Sequence, residues 1–233
     1  MRCALFIPIF VVATILLGFL SSIAGLLDRS GRTSHKFARY WSRFIFAGVG
    51  IRVELKGVEN IPRDRPVIFA ANHQSTMDIP AMFGYLPTEF RIMAKKILFM
   101  IPFLGWHLYL SGNIPIDRKN PAKSRASVFR AAAQIKKGAS ILIFAEGTRS
   151  RDGKLHRFKR GGFTLAKRLG VAVVPVAIQG SFQLMPAGSW LARPGVIRIN
   201  IMPALVFSPE EEPHTTASKV RKELLGAGLV DGD

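Results

Sequence analysis

Residues 3–27 carry no charge, and small polar residues only briefly interrupt the run ALFIPIFVVATILLGFLSSIAGLL. A helix rising ~1.5 Å per residue over this length matches a hydrocarbon core of ~30 Å. Three readings stand side by side: a helix spanning the bilayer, a helix buried in one leaflet, and a cleaved signal peptide. The last would have Arg2 before it and a small-residue end at 21–24, and the run is long for that. Residues 35–48, HKFARYWSRFIFAG, place Phe37, Tyr40, Trp41, Phe44 and Ile45 on one helical face at ~100° per residue. Lys36, Arg39 and Arg43 fall opposite. Such a helix suits a headgroup interface, and the same pattern also describes a helix packed on a domain.

After Gly50 short β-rich runs alternate with helical stretches, which predicts an α/β domain. Strands are expected at 51–55, 67–71, 111–117, 141–145, 171–178 and 196–202. Asn120 and Pro121 make a helix start, as cap and first residue, and Lys136-Lys137-Gly138 makes a stop. Helices are expected at 161–169, closed by Gly170, and at 217–225. The chain divides into an N-terminal membrane element (1–50), a catalytic-sized domain (51–225) and a tail expected to be disordered (226–233).

Composition adds a constraint on partners. The 233 residues carry 33 Lys and Arg against 15 Asp and Glu, a net charge of +18. This excess calls for an anionic partner: nucleic acid, anionic lipid, or a phosphorylated substrate with an acidic carrier. The single cysteine, Cys3, excludes an intramolecular disulfide and thiolate metal sites. Arg29, Arg32, Lys36, Arg39 and Arg43 follow the apolar run closely. The positive-inside tendency therefore puts that side, and everything after it, in the cytoplasm.

Three polar clusters follow predicted strands. They are Asn72-His73-Gln74-Ser75-Thr76-Met77-Asp78, Asp117-Arg118 and Glu146-Gly147-Thr148-Arg149. Residues at the carboxyl ends of parallel strands share one edge, where ligands bind. A neutral His73 can take the proton of an attacking alcohol, and Asp78 on its other ring nitrogen would fix the tautomer. Five residues on a regular helix separate side chains by ~140°, so the pair meets only across a turn, which a helix starting at Asp78 would supply. The alternative makes Asp78 a helix cap and His73 a satisfied loop histidine. Ser75 offers a second alternative, a nucleophile in a hydrolase, though Gly-x-Ser-x-Gly is missing around it. Arg149 can grip a phosphate bidentately, Gly147 lets the backbone approach, and Glu146 can bond a hydroxyl or orient Arg149. The basic run from Arg151 to Arg168, with Asp152 as its one acid, is either part of that site or a solvated loop.

In this order the clusters resemble the glycerolipid acyltransferases, typified by bacterial 1-acylglycerol-3-phosphate acyltransferase, over roughly residues 50–205. Residues 72–78 look like the family's catalytic HxxxxD block. Gly112-Asn-Ile-Pro-Ile-Asp117-Arg118 is similar to the second block, and Phe144-Ala-Glu-Gly-Thr-Arg-Ser150 to the third, with Ala145 in place of the usual Pro. Val174-Pro175-Val176 resembles the fourth. Ala94-Lys95-Lys96 and Phe158-Lys159-x-Gly161 also match family positions.

The resemblance implies an α/β fold, a mixed sheet flanked by helices, with an N-terminal hydrophobic two-helix membrane element. It implies His73 as base and Asp78 as its orienter. Lys95, Arg118, Glu146, Gly147, Thr148 and Arg149 would bind the phosphorylated acceptor, and Val174 and Pro175 would lie on the acyl-donor side. No metal or cofactor is expected. The partners implied are membrane lipid and acyl-CoA or acyl carrier protein, with no nucleic acid. A non-enzymatic binder of anionic surfaces would explain the charge but not four blocks in this order.

Overall fold

The computed structural model describes residues 2–117, 121–208 and 210–233; Arg118 and the expected Asn120 cap lie outside the described residues. The chain runs α1 (Arg2–Leu27), α2 (Arg32–Val49), β1 (Ile51–Lys56), β2 (Ile68–Ala71), α3 (Asp78–Tyr85), β3 (Phe90–Lys95), α4 (Leu104–Leu110) and β4 (Ile114–Ile116). It continues through α5 (Pro121–Lys136), β5 (Ser140–Phe144), α6 (Gly161–Leu169), β6 (Val173–Gln179), α7 (Ser181–Leu184), β7 (Gly195–Ile201) and α8 (Pro213–Gly226).

The seven strands form one mixed sheet in the order β1-β7-β6-β2-β5-β3-β4. β2 is parallel to β5 and β6, and β3 to β4 and β5, so five strands end on the same edge. β7 runs antiparallel to β6, and β1 pairs with β7. The alternation of a buried strand sorts its residues to two sides. Phe69, Val174 and Val176 join an apolar core with Phe46, Met82 and Phe90. Ile68, Ala70, Val173 and Ala177 join another with Ala131, Phe163 and Val220.

Helix α2 packs on the domain through Ser34, His35, Ala38, Ser42, Ile45, Phe46 and Val49, rotated from the aromatic face expected from sequence. Arg39 donates to Leu86 O (2.9 Å) and Arg43 Nε to Gly84 O (2.9 Å). These carbonyls end α3, where cations are favoured. The two arginines expected to face headgroups are thus bound to the protein, while Tyr40 and Phe44 stay exposed. Among the described residues only α1 is long and apolar enough to cross a membrane.

The final residues differ from the disorder expected of 226–233. Leu155 N–H donates to Val230 O (2.8 Å) and Gly232 N–H to Leu155 O (3.1 Å), a short parallel bridge with Leu229 buried beside it. Arg221 fastens the pair, bonding Leu155 O (3.2 Å) and Asp231. A polar, glycine-rich tail reads as disorder unless the strand that receives it is known.

Candidate active site

The carboxyl edge of the sheet gathers the loops after β2, β3, β4 and β5. Strand β2 leads into Asn72, whose amide imitates a strand residue: it donates to Ile178 O (2.8 Å) and accepts from Ile178 N–H (2.7 Å). His73 follows, 6% exposed, its ring stacked on Phe144 at 3.9 Å between centroids. The main chain then turns, and α3 begins at Asp78. That turn brings His73 Nδ1 to 2.8 Å from Asp78 Oδ2. The same oxygen accepts the N–H groups of Gln74 (2.7 Å) and Ser75 (2.8 Å). An Asp78 oxygen that accepts two backbone amides is an acceptor toward the ring as well, which assigns the hydrogen to Nδ1 and leaves Nε2 with its lone pair.

Ser75 is spent. Its hydroxyl donates to Met185 O (2.6 Å) and accepts from Met77 N–H (3.0 Å), and the residue is fully buried. With its proton committed to a carbonyl, Ser75 is not an activated nucleophile.

Glu146 follows β5 and holds the loop of His73. Its Oε1 accepts His73 N–H (2.9 Å) and its Oε2 accepts His156 N–H (3.1 Å). Ser150 N–H closes the frame on His73 O (2.8 Å). Burial pushes the Glu146 carboxyl above its ordinary value, with the two amides opposing. Both oxygens face protein amides, so Glu146 differs from the substrate-facing role expected of it. His156 Nε2 meets Asp152 (2.9 Å), and that bond raises the imidazole above its ordinary value.

Beside this frame lies a cationic rim. Gly147 sits at φ 74, and a Cβ there would meet Lys159 Cγ at 2.9 Å, so the lysine crosses over the glycine. Thr148 and Arg149 are exposed, and Arg149 donates to Thr76 Oγ1. Lys95 ends β3 on the same edge, also exposed. Sequence reasoning named Lys159 in the basic run and as a match to a family position, and Thr76 in the first polar cluster, but gave neither a role at the site; neither has a periodic signal.

Val174 and Pro175 are not at this edge. They pair with Phe69 and Ala70 inside the sheet, and β6 runs on to Gln179 before reaching the loops. Both are buried there, Val174 in the core that also holds Phe83 and Ile92.

An apolar cavity of ≈ 270 Å³ adjoins the catalytic loop. Thr76 and Met77 line one part, and Phe10, Leu17, Trp41, Leu98, Leu104 and His107 line others, so α1, α2, α3 and α4 all contribute walls. Sequence reasoning missed it because its walls are distant in the chain.

Residues 52–179 match the family model described as Acyltransferase. The chloroplastic 1-acyl-sn-glycerol-3-phosphate acyltransferase of Arabidopsis thaliana is 38% identical over 70% of this chain and 46% of its own length. The 1-acyl-sn-glycerol-3-phosphate acyltransferase of Pseudomonas aeruginosa is 36% identical over 73% of this chain and 64% of its own. The chain spans about half the length of the two plant relatives. The crystal structure of the 1-acyl-sn-glycerophosphate acyltransferase PlsC from Thermotoga maritima superposes with a TM-score of 0.82 at 29% identity, over 100% of this chain and 97% of that one. A family model covering more than half of the residues, on a buried His73–Asp78 pair, identifies the chain as a member of the acyltransferase family.

Proposed function

We propose that this chain transfers a fatty acyl group from an acyl thioester to the 2-hydroxyl of 1-acyl-sn-glycerol-3-phosphate, giving phosphatidic acid for phospholipid synthesis. The observation that carries the reading is the 2.8 Å contact between His73 Nδ1 and Asp78 Oδ2, an oxygen that also accepts two backbone amides. The relatives' names supply the acceptor.

In the reaction, Nε2 of His73 takes the hydroxyl proton as the oxygen attacks the thioester carbonyl. The tetrahedral intermediate collapses, the carbon–sulfur bond breaks, and the imidazolium returns its proton to the departing thiolate. Asp78 stabilises the imidazolium. Arg149 and Lys159 form the rim that receives the acceptor phosphate, with Thr148, Lys95 and Arg118 as further contacts. The apolar cavity beside Thr76 suits an acyl chain. Acyl-CoA and acyl carrier protein both offer the thioester, and both are acidic enough for the basic surface.

Residues 1–50 attach the domain to the membrane. α1 supplies the apolar length, and the cations after it keep the active site on the cytoplasmic face. The test is release of free thiol from an acyl thioester on adding the lysolipid, run beside a panel of other acceptors and read by mass spectrometry. The proposal expects transfer to 1-acylglycerol-3-phosphate that His73→Ala abolishes; equal transfer by that variant would refute the base.

A further inference from the structure

Outside α1, exposed apolar residues concentrate between β3 and β4. Ile97 and Met100 on the 3-10 turn Lys96–Met100, Ile101 after it, and Trp106 and Tyr109 on α4 are all exposed, Met100 to 69% and Tyr109 to 74%. Scattered singly such residues are ordinary, but five within thirteen positions form a patch. A tight reversal presents them. Phe103, at φ 62 and ψ −53, is the one non-glycine residue with positive φ among the described residues, and Leu104 N–H bonds Pro102 O at 2.7 Å. This is a γ-turn of the rare, strained form. Gly105 closes it: a Cβ there would lie 2.2 Å from Phe99 O.

The resulting hairpin lies lengthwise on α1. Gly18 approaches Phe103, Ser21 Oγ bonds His107 Nδ1 (2.6 Å), and Gly25 approaches Leu110, so the two helices run side by side in the same direction. Small residues on α1 allow this close approach. The contact turns positions 103, 107 and 110 inward and leaves Trp106 and Tyr109 outward. Over the same stretch α1 exposes Phe19, Ile23 and Leu26. The two apolar surfaces therefore share one level along a common axis, and a depth that takes in Ile23 takes in Tyr109.

The surrounding charge is mainly positive. Lys95 and Lys96 open the hairpin, and the turn carrying Arg29 and Arg32 meets its end, where Gly31 abuts Ser111 O. Asp28 is occupied by the amides of Ser30 and Thr33, and Glu89 faces Arg32. From residue 90 to residue 145 the single acid is Asp117.

We propose that residues 96–110 form a second membrane seat, sinking Trp106, Tyr109 and Met100 into an anionic phospholipid leaflet beside α1. Aromatic residues favour the interface, and the flanking cations favour anionic headgroups. The seat brings the cavity walls at Leu98, Leu104 and Leu108 down to the lipid. It rests on the proposed membrane attachment of α1 and is independent of the reaction.

The test uses the full chain, purified in detergent and mixed without substrate with phosphatidylcholine vesicles that contain or lack phosphatidylglycerol. The double variant Trp106→Ala/Tyr109→Ala, at exposed positions, is expected to partition about tenfold more weakly, and Lys96→Glu to lose affinity for the anionic vesicles alone. Brominated lipid should quench the tryptophan fluorescence of the wild type more than that of Trp106→Phe. Acyl transfer to detergent-dispersed acceptor should persist in all three variants. Unchanged partition of the double variant, or undiminished quenching in Trp106→Phe, would overturn the seat. So would a detergent-borne dimer that the double variant breaks while still binding vesicles, because the face would then belong to a second copy. Failed acyl transfer with normal partition would count against the proposed reaction alone.

Discussion

Glu146 separates two accounts of the third polar cluster. Sequence reasoning gives it to the substrate; the structure turns both of its oxygens to backbone amides, those of His73 at 2.9 Å and His156 at 3.1 Å. Glu146→Gln keeps the shape but offers one carbonyl oxygen, so its NH₂ group faces the remaining amide. A buried donor left unpaired costs ~1–3 kcal/mol, offset in part because the buried carboxylate no longer has to be ionised. In a chain of this length 1 kcal/mol is worth ~2–4 °C, so the melting temperature should fall by ~2–10 °C. The freed amide belongs either to His73 or to His156, in the loop between β5 and α6. A misplacement of ~1 Å at a catalytic group costs ~100-fold, so kcat should fall ~10- to 100-fold. The KM for the phosphorylated acceptor should stay within about threefold, because the carboxylate does not face the cleft. Thermal unfolding and an acceptor titration of thiol release measure both. A tenfold rise in KM with unchanged melting and kcat would return Glu146 to the substrate and refute the reasoning.

Asp78→Asn should lower kcat ~1,000- to 10,000-fold with little change in acceptor KM, since it releases the tautomer of His73; thiol release under saturating substrate checks this. Burial holds His107 from its ordinary 6.5 down to about 4. Above pH 6.5 neither state is protonated. Between 6.5 and 4 the unfolded chain takes up a proton that the native site refuses, so stability drops by ~3 kcal/mol across that window and levels below it. Melting curves of wild type and His107→Gln against pH should therefore converge as pH falls from 6.5 to 4; parallel curves would refute it. Arg221→Ala removes the bond to Leu155 O that backs the terminal bridge, and amide exchange at Leu155 and Gly232 should speed up about tenfold. Exchange at wild-type rates would mean that the bridge holds itself.

Most of the sheet was legible because buried parallel strands are short apolar runs bounded by turn residues; β3 was not, since Arg91 and Lys95 break up its apolar residues. Residues 67–71, 141–145 and 171–178 each appear within two residues of where the pattern put them, as β2, β5 and β6. The three polar clusters were legible for the same reason, since each stands where such a run stops. The hairpin of 96–110 was not legible. Its apolar residues follow neither a period of two nor of 3.6, because a γ-turn at Phe103 splits them between two elements and α1 claims only part of the face. The role of Glu146 was hidden likewise: a carboxylate beside an arginine reads as substrate chemistry, while the amides that occupy it come from positions 73 and 156. The helical face of α2 was misjudged because Ser34, His35 and Ser42 are polar yet buried, which no hydropathy pattern marks.

A histidine and an aspartate five residues apart are common, and what distinguishes this pair is how little of it can move. His73 is gripped through its N–H by Glu146, through its O by Ser150 N–H, through its ring face by Phe144 and through Nδ1 by Asp78. Three of these four partners lie on β5 or in the loop directly after it, so the β2–β5 register positions the imidazole. Asp78 in turn begins a helix whose far end is held by Arg39 and Arg43 of α2. Only Nε2 is left for chemistry. The neighbouring hydroxyl of Ser75 points its hydrogen at Met185 O and so cannot compete for that nitrogen. A base so fixed, with the serine beside it committed elsewhere, favours direct attack by a bound alcohol over a covalent acyl-serine intermediate. A rapid-quench search for acylated protein should accordingly find no acyl group on Ser75, and Ser75→Ala should lose stability more than it loses turnover.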